Sequence, residues 1–90
     1  MLIALICTDK AGALDTRKAN RDAHLAYIAE TGVVAMAGPL LDAAGDMAGS
    51  LVILDVADAA AAESWAAHDP YAKAGLFSDV RIQPWKKVIG

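Results

Sequence analysis

The sequence predicts an α+β domain of ferredoxin-like order, βαββαβ, with a four-stranded antiparallel sheet and two helices on one of its faces. Three observations carry the prediction. Short apolar runs alternate with two stretches of helical spacing, and the second and third runs are joined by a loop too short for a crossover helix. Ninety residues leave room for a single hydrophobic core, so residues 1–90 are expected to form one domain. Apolar residues make up 57% of the chain and charged residues 21%, a balance that excludes an intrinsically disordered segment.

Each element has a local reason. Leu2 to Thr8 is an almost unbroken apolar run closed by Asp9-Lys10-Ala11-Gly12, the pattern of a strand buried on both faces. From Leu14 to Glu30 the spacing becomes helical, with Asp15 or Thr16 near the start and Thr31-Gly32 at the end, where glycine takes a left-handed terminating conformation. Val33 to Ala37 reads as a second strand, which Gly38-Pro39 should stop because proline has no amide hydrogen for a ladder. The loop from Asp42 to Gly49 leads straight into Ser50 to Val56, so these two strands form a hairpin. Asp58 is placed to cap a second helix over Ala59 to His68, and Pro70 ends that helix by pushing Asp69 toward extended geometry. After a turn through Gly75, the last strand is expected over Val80 to Val88, at an edge or with a bulge because of Pro84.

Charge and cysteine content narrow the function classes. The net charge of −3, the pI near 5.1 and the lack of any block of like charges exclude a general nucleic-acid binder, which needs a basic face to displace phosphate counterions. Cys7 is the single cysteine, so neither an internal disulfide nor a CxxC zinc site is available, and the chain reads as cytoplasmic. The opening Leu2–Cys7 run has no basic lead and is far shorter than the roughly 18 residues of a membrane span. Neither a signal peptide nor a membrane partner is expected. The first three strands are apolar on both faces while two helices cover only one, and a homodimer packing sheet against sheet is the simplest way to bury the other.

Candidate chemistry gathers at two places. On the first helix, Arg17, Arg21, His24 and Ile28 follow at spacings of four, three and four and fall within about 60° of one another on its surface. Leu14, Leu25 and Ile28 mark the expected core stripe, with Arg21 near its middle and His24 at its edge. A guanidinium so placed must snorkel outward or meet an anionic partner, which points to a pocket, although two surface arginines and a boundary histidine would read the same. The second place is the end of the second helix, where the Asp69 carboxylate leaves the helix axis toward the sheet or the first helix. There it could orient the His24 imidazole for acid–base work or simply cap its own backbone. His24, His68 and Asp69 offer a two-imidazole, one-carboxylate metal set, but neighbouring residues at a helix end point about 100° apart, so no metal site is expected. Cys7 lacks a basic neighbour and reads as inert packing, Ser50 either ends its loop or faces a pocket, and Trp65 and Trp85 read as core or interface aromatics. The chain has neither a glycine-rich phosphate loop nor a GxSxG nucleophile turn, and no cofactor is expected.

Taken together, Arg21-Asp22-Ala23-His24-Leu25, Gly32, Ala37-Gly38-Pro39-Leu40, Gly49-Ser50, Asp69-Pro70-Tyr71-Ala72-Lys73-Ala74-Gly75-Leu76 and the closing Ile82-Gln83-Pro84-Trp85-Lys86-Lys87-Val88 resemble the YCII-related (YciI-like) family over nearly the whole chain. The resemblance implies a fold of the dimeric α/β-barrel type and an active site built from His24 and Asp69, with the arginine-rich start of the first helix lining the same cleft. The expected activity is that of a small cofactor-independent acid–base enzyme, an isomerase or a dehydrochlorinase-like lyase, acting on a small anionic or aromatic metabolite. His24 would move the proton, Asp69 would orient the imidazole, and Arg17 or Arg21 would bind negative charge. Gly38, Pro39, Ser50 and Tyr71 are the further expected substrate contacts. The alternative is a dimeric metabolite-binding or accessory module without turnover.

Overall fold

Strand register sets the architecture of the computed structural model, which describes residues 1–90. Strands β1 (Leu2–Asp9), β2 (Val34–Leu41), β3 (Met47–Asp55) and β4 (Phe77–Pro84) form one sheet, and the helices are α1 (Leu14–Thr31), α2 (Ala59–His68) and the single turn α3 (Pro70–Lys73). The strand order is β2-β3-β1-β4 with every neighbouring pair antiparallel, which is the ferredoxin-like arrangement. Pairing Ile3 with Leu54, Leu5 with Val52 and Cys7 with Ser50 turns these side chains to one face of the sheet. That face carries the core: Ile3, Leu5, Cys7, Val52 and Leu54 pack with Ala62 and Trp65 of α2, and Tyr27 and Ile28 of α1 close over them. On the opposite face Ala4 and Ile53 are buried, while Met36, Leu40 and Leu51 stay 50%, 39% and 38% exposed.

Local signals explain the helix ends. Gly32 takes φ 65° and its N–H donates to the Ile28 carbonyl, ending α1. Asp58 accepts from the Ala61 N–H at 2.9 Å and caps α2. Gly49 is demanded by packing, because a Cβ there would run into the Cys7 carbonyl oxygen of β1. The neighbouring strands can therefore approach closely just where Ser50 enters the core face.

Three boundaries differ from the sequence expectation. β2 does not stop at Gly38-Pro39 but runs on to Leu41, with Pro39 opposite Ser50. As an edge strand, β2 has one side free of ladder bonds, where a missing amide hydrogen is harmless. β3 accordingly begins at Met47 rather than Ser50. β4 covers Phe77–Pro84 rather than Val80 to Val88, since it must pair with β1 from Asp9 back to Ile3, and only the Trp85 N–H, donating to the Leu2 carbonyl at 3.0 Å, continues the ladder. Of the two tryptophans, Trp65 is in the core and Trp85 is 39% exposed.

Cys7 is 3% exposed, and burial, reinforced by the Asp69 charge, pushes its thiol from the ordinary 9.0 up to about 12. In the unfolded chain the thiol loses its proton above pH 9, whereas the folded protein keeps it until about pH 12. Folded protein thus binds more protons in that window, and stability falls as pH rises through it, by up to about 1.4 kcal/mol per pH unit. Cys7→Ala should remove this contribution. Urea unfolding of both proteins between pH 8 and 10 is expected to show the variant losing less stability above pH 9, and parallel curves would show that the thiol is not shielded.

Candidate active site

The site begins with the break between α2 and α3. Pro70 holds Asp69 in extended geometry (φ −60°, ψ 129°), so its carboxylate swings off the end of α2. Oδ1 accepts the Tyr71 N–H at 3.0 Å, capping α3, and lies 2.7 Å from His24 Nδ1. The same oxygen therefore makes both contacts that the sequence suggested, one to His24 and one to the local backbone. An ionised carboxylate is an acceptor only, so this contact assigns the proton of a neutral imidazole to Nδ1 and leaves Nε2 as its acceptor. His24 is 6% exposed and Asp69 3%.

Seven residues before His24, Arg17 is buried as well. Its Nε and Nη2 donate to the two Asp9 carboxylate oxygens at 2.7 and 2.9 Å, and Nη2 also donates to Ser50 Oγ at 2.8 Å. Burial works against the guanidinium charge, but the Asp9 hydrogen bonds and charge outweigh it, and the Arg17 pKa ends above its ordinary value. This placement corrects the expected core stripe of α1. Arg21 is exposed and Leu25 is 50% exposed, whereas Arg17 and His24 are the fully buried residues of α1, with Tyr27 and Ile28 packed against the core. The physical reason is the partner at the end of β1: with Asp9 waiting, burying Arg17 leaves no charge unpaired.

Tyr71 joins the two halves. Its ring stacks on His24 with centroids 4.0 Å apart and planes at 15°, the Arg17 guanidinium carbon lies 4.7 Å over the same ring, and Phe77 meets it edge-on at 6.1 Å. Burial pushes the phenol pKa upward, and the nearby charges of Arg17 and Arg21 offset only part of that rise.

These groups surround a cavity of about 210 Å³ between α1 and the β2–β3 side of the sheet. Arg17, Arg21, His24, Gly38, Pro39, Ser50 and Tyr71 line it, together with Leu25, Ile28, Ala37, Met47 and Val52, and Asp69 stands behind His24. His68 is elsewhere: its Nδ1 is 2.7 Å from the Ser64 carbonyl oxygen, and it borders a separate groove beside Trp65. No three His, Cys, Asp or Glu side chains gather closely enough to hold a metal ion. Sequence reasoning missed Asp9, which it read only as the residue closing a strand. Its eight-residue offset from Arg17 crosses a turn and matches no helical or strand period, so no local signal marked the pair.

A ferredoxin-like sheet carrying a buried His–Asp pair at the wall of a small cavity defines the class of protein. Within that class the chain belongs to the YCII-related family, whose domain matches residues 1–86. It is 37% identical to Protein YciI of Escherichia coli O6:H1 and 33% identical to an uncharacterized protein of Haemophilus influenzae, in each case over 98% of this chain and 99% of the relative. Among solved structures it is similar to the 5-chloro-2-hydroxyhydroquinone dehydrochlorinase TftG of Burkholderia phenoliruptrix in complex with 2,5-dihydroxybenzoquinone. The TM-score is 0.88 and the identity 34%, covering 96% of this chain and 94% of that one. An antibiotic biosynthesis monooxygenase at 14% identity, TM-score 0.61 and coverage of 99% and 100% shares the fold alone.

The Arg17–Asp9 pair gives a direct test of the site's construction. Asp9→Asn keeps the shape but leaves a buried guanidinium without its counter-charge, and should lower the free energy of unfolding by about 3–5 kcal/mol in urea titrations. A loss under about 1 kcal/mol would place the pair with solvated surface ion pairs instead.

Proposed function

We propose that the chain is a small acid–base enzyme, a dehydrohalogenating lyase or an isomerase, that acts on a single oxygenated ring bearing negative charge. The observation that carries this reading is the 2.7 Å contact of His24 Nδ1 with Asp69, which leaves Nε2 free on a ring that lines the cavity. Asp69 fixes the tautomer and balances the imidazolium as it forms. In an elimination, Nε2 takes a proton from the substrate and the electrons of the broken C–H or O–H bond become the new π bond. The leaving group departs as an anion with the electrons of its own bond, and the imidazolium returns its proton to water. Only a proton and a leaving group move, so this chemistry calls for no cofactor.

Two further features support the substrate class. The dehydrochlorinase acts, by its name, on a chlorinated hydroxyhydroquinone, and its ligand is a dihydroxylated quinone. A cavity of about 210 Å³ is smaller than the roughly 300–1,000 Å³ of drug-sized sites and suits one substituted ring. Within it, Arg17 is already neutralised by Asp9, while Arg21 has no carboxylate within ion-pair distance. Arg21 is therefore the cation available to a ligand.

The expected result is chloride release from a chlorinated hydroxyhydroquinone. His24→Ala should lower kcat by about 10²–10⁴-fold, and Asp69→Asn by a comparable factor through the wrong tautomer. If the wild-type chain binds 2,5-dihydroxybenzoquinone without turning over any halogenated or isomerisable ring, and His24→Ala binds as tightly, the binding-module reading replaces this one.

The apolar outer face of the sheet, with Met36, Leu40 and Leu51 exposed, supports a homodimer as the working form. Light scattering at micromolar concentration should give twice the 9.3 kDa chain mass. A mass of one chain would contradict it.

A further inference from the structure

Tyr71 is 2% exposed, yet its hydroxyl makes no hydrogen bond of good geometry within the protein, although the Arg17 guanidinium lies near enough to donate to it; the backbone N–H donates to Asp69 Oδ1 and the carbonyl accepts the Leu76 N–H. No buried side-chain nitrogen or oxygen of the chain is cut off from both partner and solvent, so the hydroxyl opens on the cavity that Tyr71 lines. The phenol feels the positive charges of Arg17 and Arg21 and the negative charge of Asp69. Guanidinium groups have no acceptor, so neither arginine can take the phenol's proton into a hydrogen bond. The O–H is left to donate to whatever enters.

We propose that Tyr71 is a second catalytic residue, whose hydroxyl donates a hydrogen bond to the substrate oxygen on which negative charge collects as His24 removes the proton. This rests on the acid–base reading of the His24–Asp69 pair. The proton goes to Nε2, and the electron pair it leaves settles on the ring oxygen or in the new π bond. The leaving group departs with its own pair, and Tyr71 keeps its proton throughout. A donor already aimed at developing charge needs no reorganisation at the moment of reaction.

The backbone and ring of Tyr71 supply that aim. Its N–H holds Asp69 Oδ1 at 3.0 Å and its ring stacks on the imidazole at 4.0 Å, so the phenol is tied to both members of the pair. Arg17 and His24 stand two helical turns apart, about 10 Å along α1, and the ring contacts both. Burial keeps the hydroxyl protonated at neutral pH despite the two arginines. The same π face is also a favourable neighbour for the imidazolium.

Tyr71→Phe removes the hydroxyl and keeps both the stack and the backbone bond. It should lower kcat by roughly 10²-fold with little change in KM and an unchanged melting temperature. Ser78→Ala is the control, because the exposed Ser78 hydroxyl donates to the Thr8 carbonyl and lies outside the cavity lining; it should leave kcat as it was. Turnover by Tyr71→Phe equal to wild type, with His24→Ala inactive, overturns the role of Tyr71 alone. If His24→Ala also matches wild type, the acid–base reading itself fails. A crystal of the wild-type protein with 2,5-dihydroxybenzoquinone gives a readout that needs no variant. A ligand oxygen within about 2.5–3.0 Å of Tyr71 Oη supports the proposal, a nearest oxygen beyond about 3.5 Å overturns it, and failure of the quinone to bind overturns both readings.

Discussion

Four polar residues, Arg17, His24, Ser50 and Asp69, lie buried between α1, the sheet and the α2–α3 break, and the need to hydrogen-bond each of them there governs the rest of the structure. A domain of this size has little apolar burial to set against an unpaired charge. The solution is two closed sets of partners. Asp9 receives the Arg17 fork and Ser50 takes its remaining Nη2 bond, which is possible because Gly49 lets β3 pass close to β1. Asp69 receives one bond from the Tyr71 backbone and one from His24. What these sets leave unused, chiefly His24 Nε2 and the Tyr71 hydroxyl, belongs to residues that line the cavity. The hydrogen-bonding requirement thus defines the ligand-facing chemistry as well as the packing.

The same requirement changes how α1 is held. An amphipathic helix normally docks through an apolar stripe, but the buried residues of α1 are Arg17 and His24. Its first turns are fastened by the ion pair to β1. Its last turns are fastened to α2, where the Tyr27 hydroxyl donates to the Trp65 carbonyl at 2.8 Å and Trp65 Nε1 donates to Thr31 Oγ1 at 2.9 Å. The Tyr27 and Trp65 rings also meet at 4.8 Å. His24 sits between these two anchors, so its imidazole is positioned by rigid elements rather than by a loop.

The parts of this arrangement that the sequence reveals are those fixed by local geometry. The helical spacing of Arg17, Arg21 and His24 places them on one face whatever the tertiary contacts, and Pro70 dictates the departure of Asp69 from α2 without reference to the rest of the fold. The cap at Asp58 and the αL glycine at Gly32 are local in the same sense. The rotation of α1 about its axis is not. Leu25 is more apolar than Arg17, and only the side chain of Asp9, delivered from β1, makes the inward arginine the favoured choice. The run of β2 through Pro39 was hidden for a similar reason: proline is a poor strand residue on average and an acceptable one at an edge, and strand order is a property of the whole sheet.

The two arginines show what the pairing rule means for the proposed reaction. Arg17 and Asp9 together present little net charge to the cavity, so the field at a ligand comes from Arg21 and from the hydroxyl dipoles of Ser50 and Tyr71. When His24 takes a proton, the positive charge appears between the Asp69 carboxylate and the ligand that has just become more negative. Charge separation is thereby confined to a short line, carboxylate to imidazolium to substrate, inside a largely desolvated wall where such interactions are stronger than in water. If Asp9 did not neutralise Arg17, a second buried cation beside the Tyr71 ring would oppose formation of the imidazolium stacked on it. In the proposed reaction, the ion pair that holds α1 on the sheet therefore also removes a competing cation from beside His24.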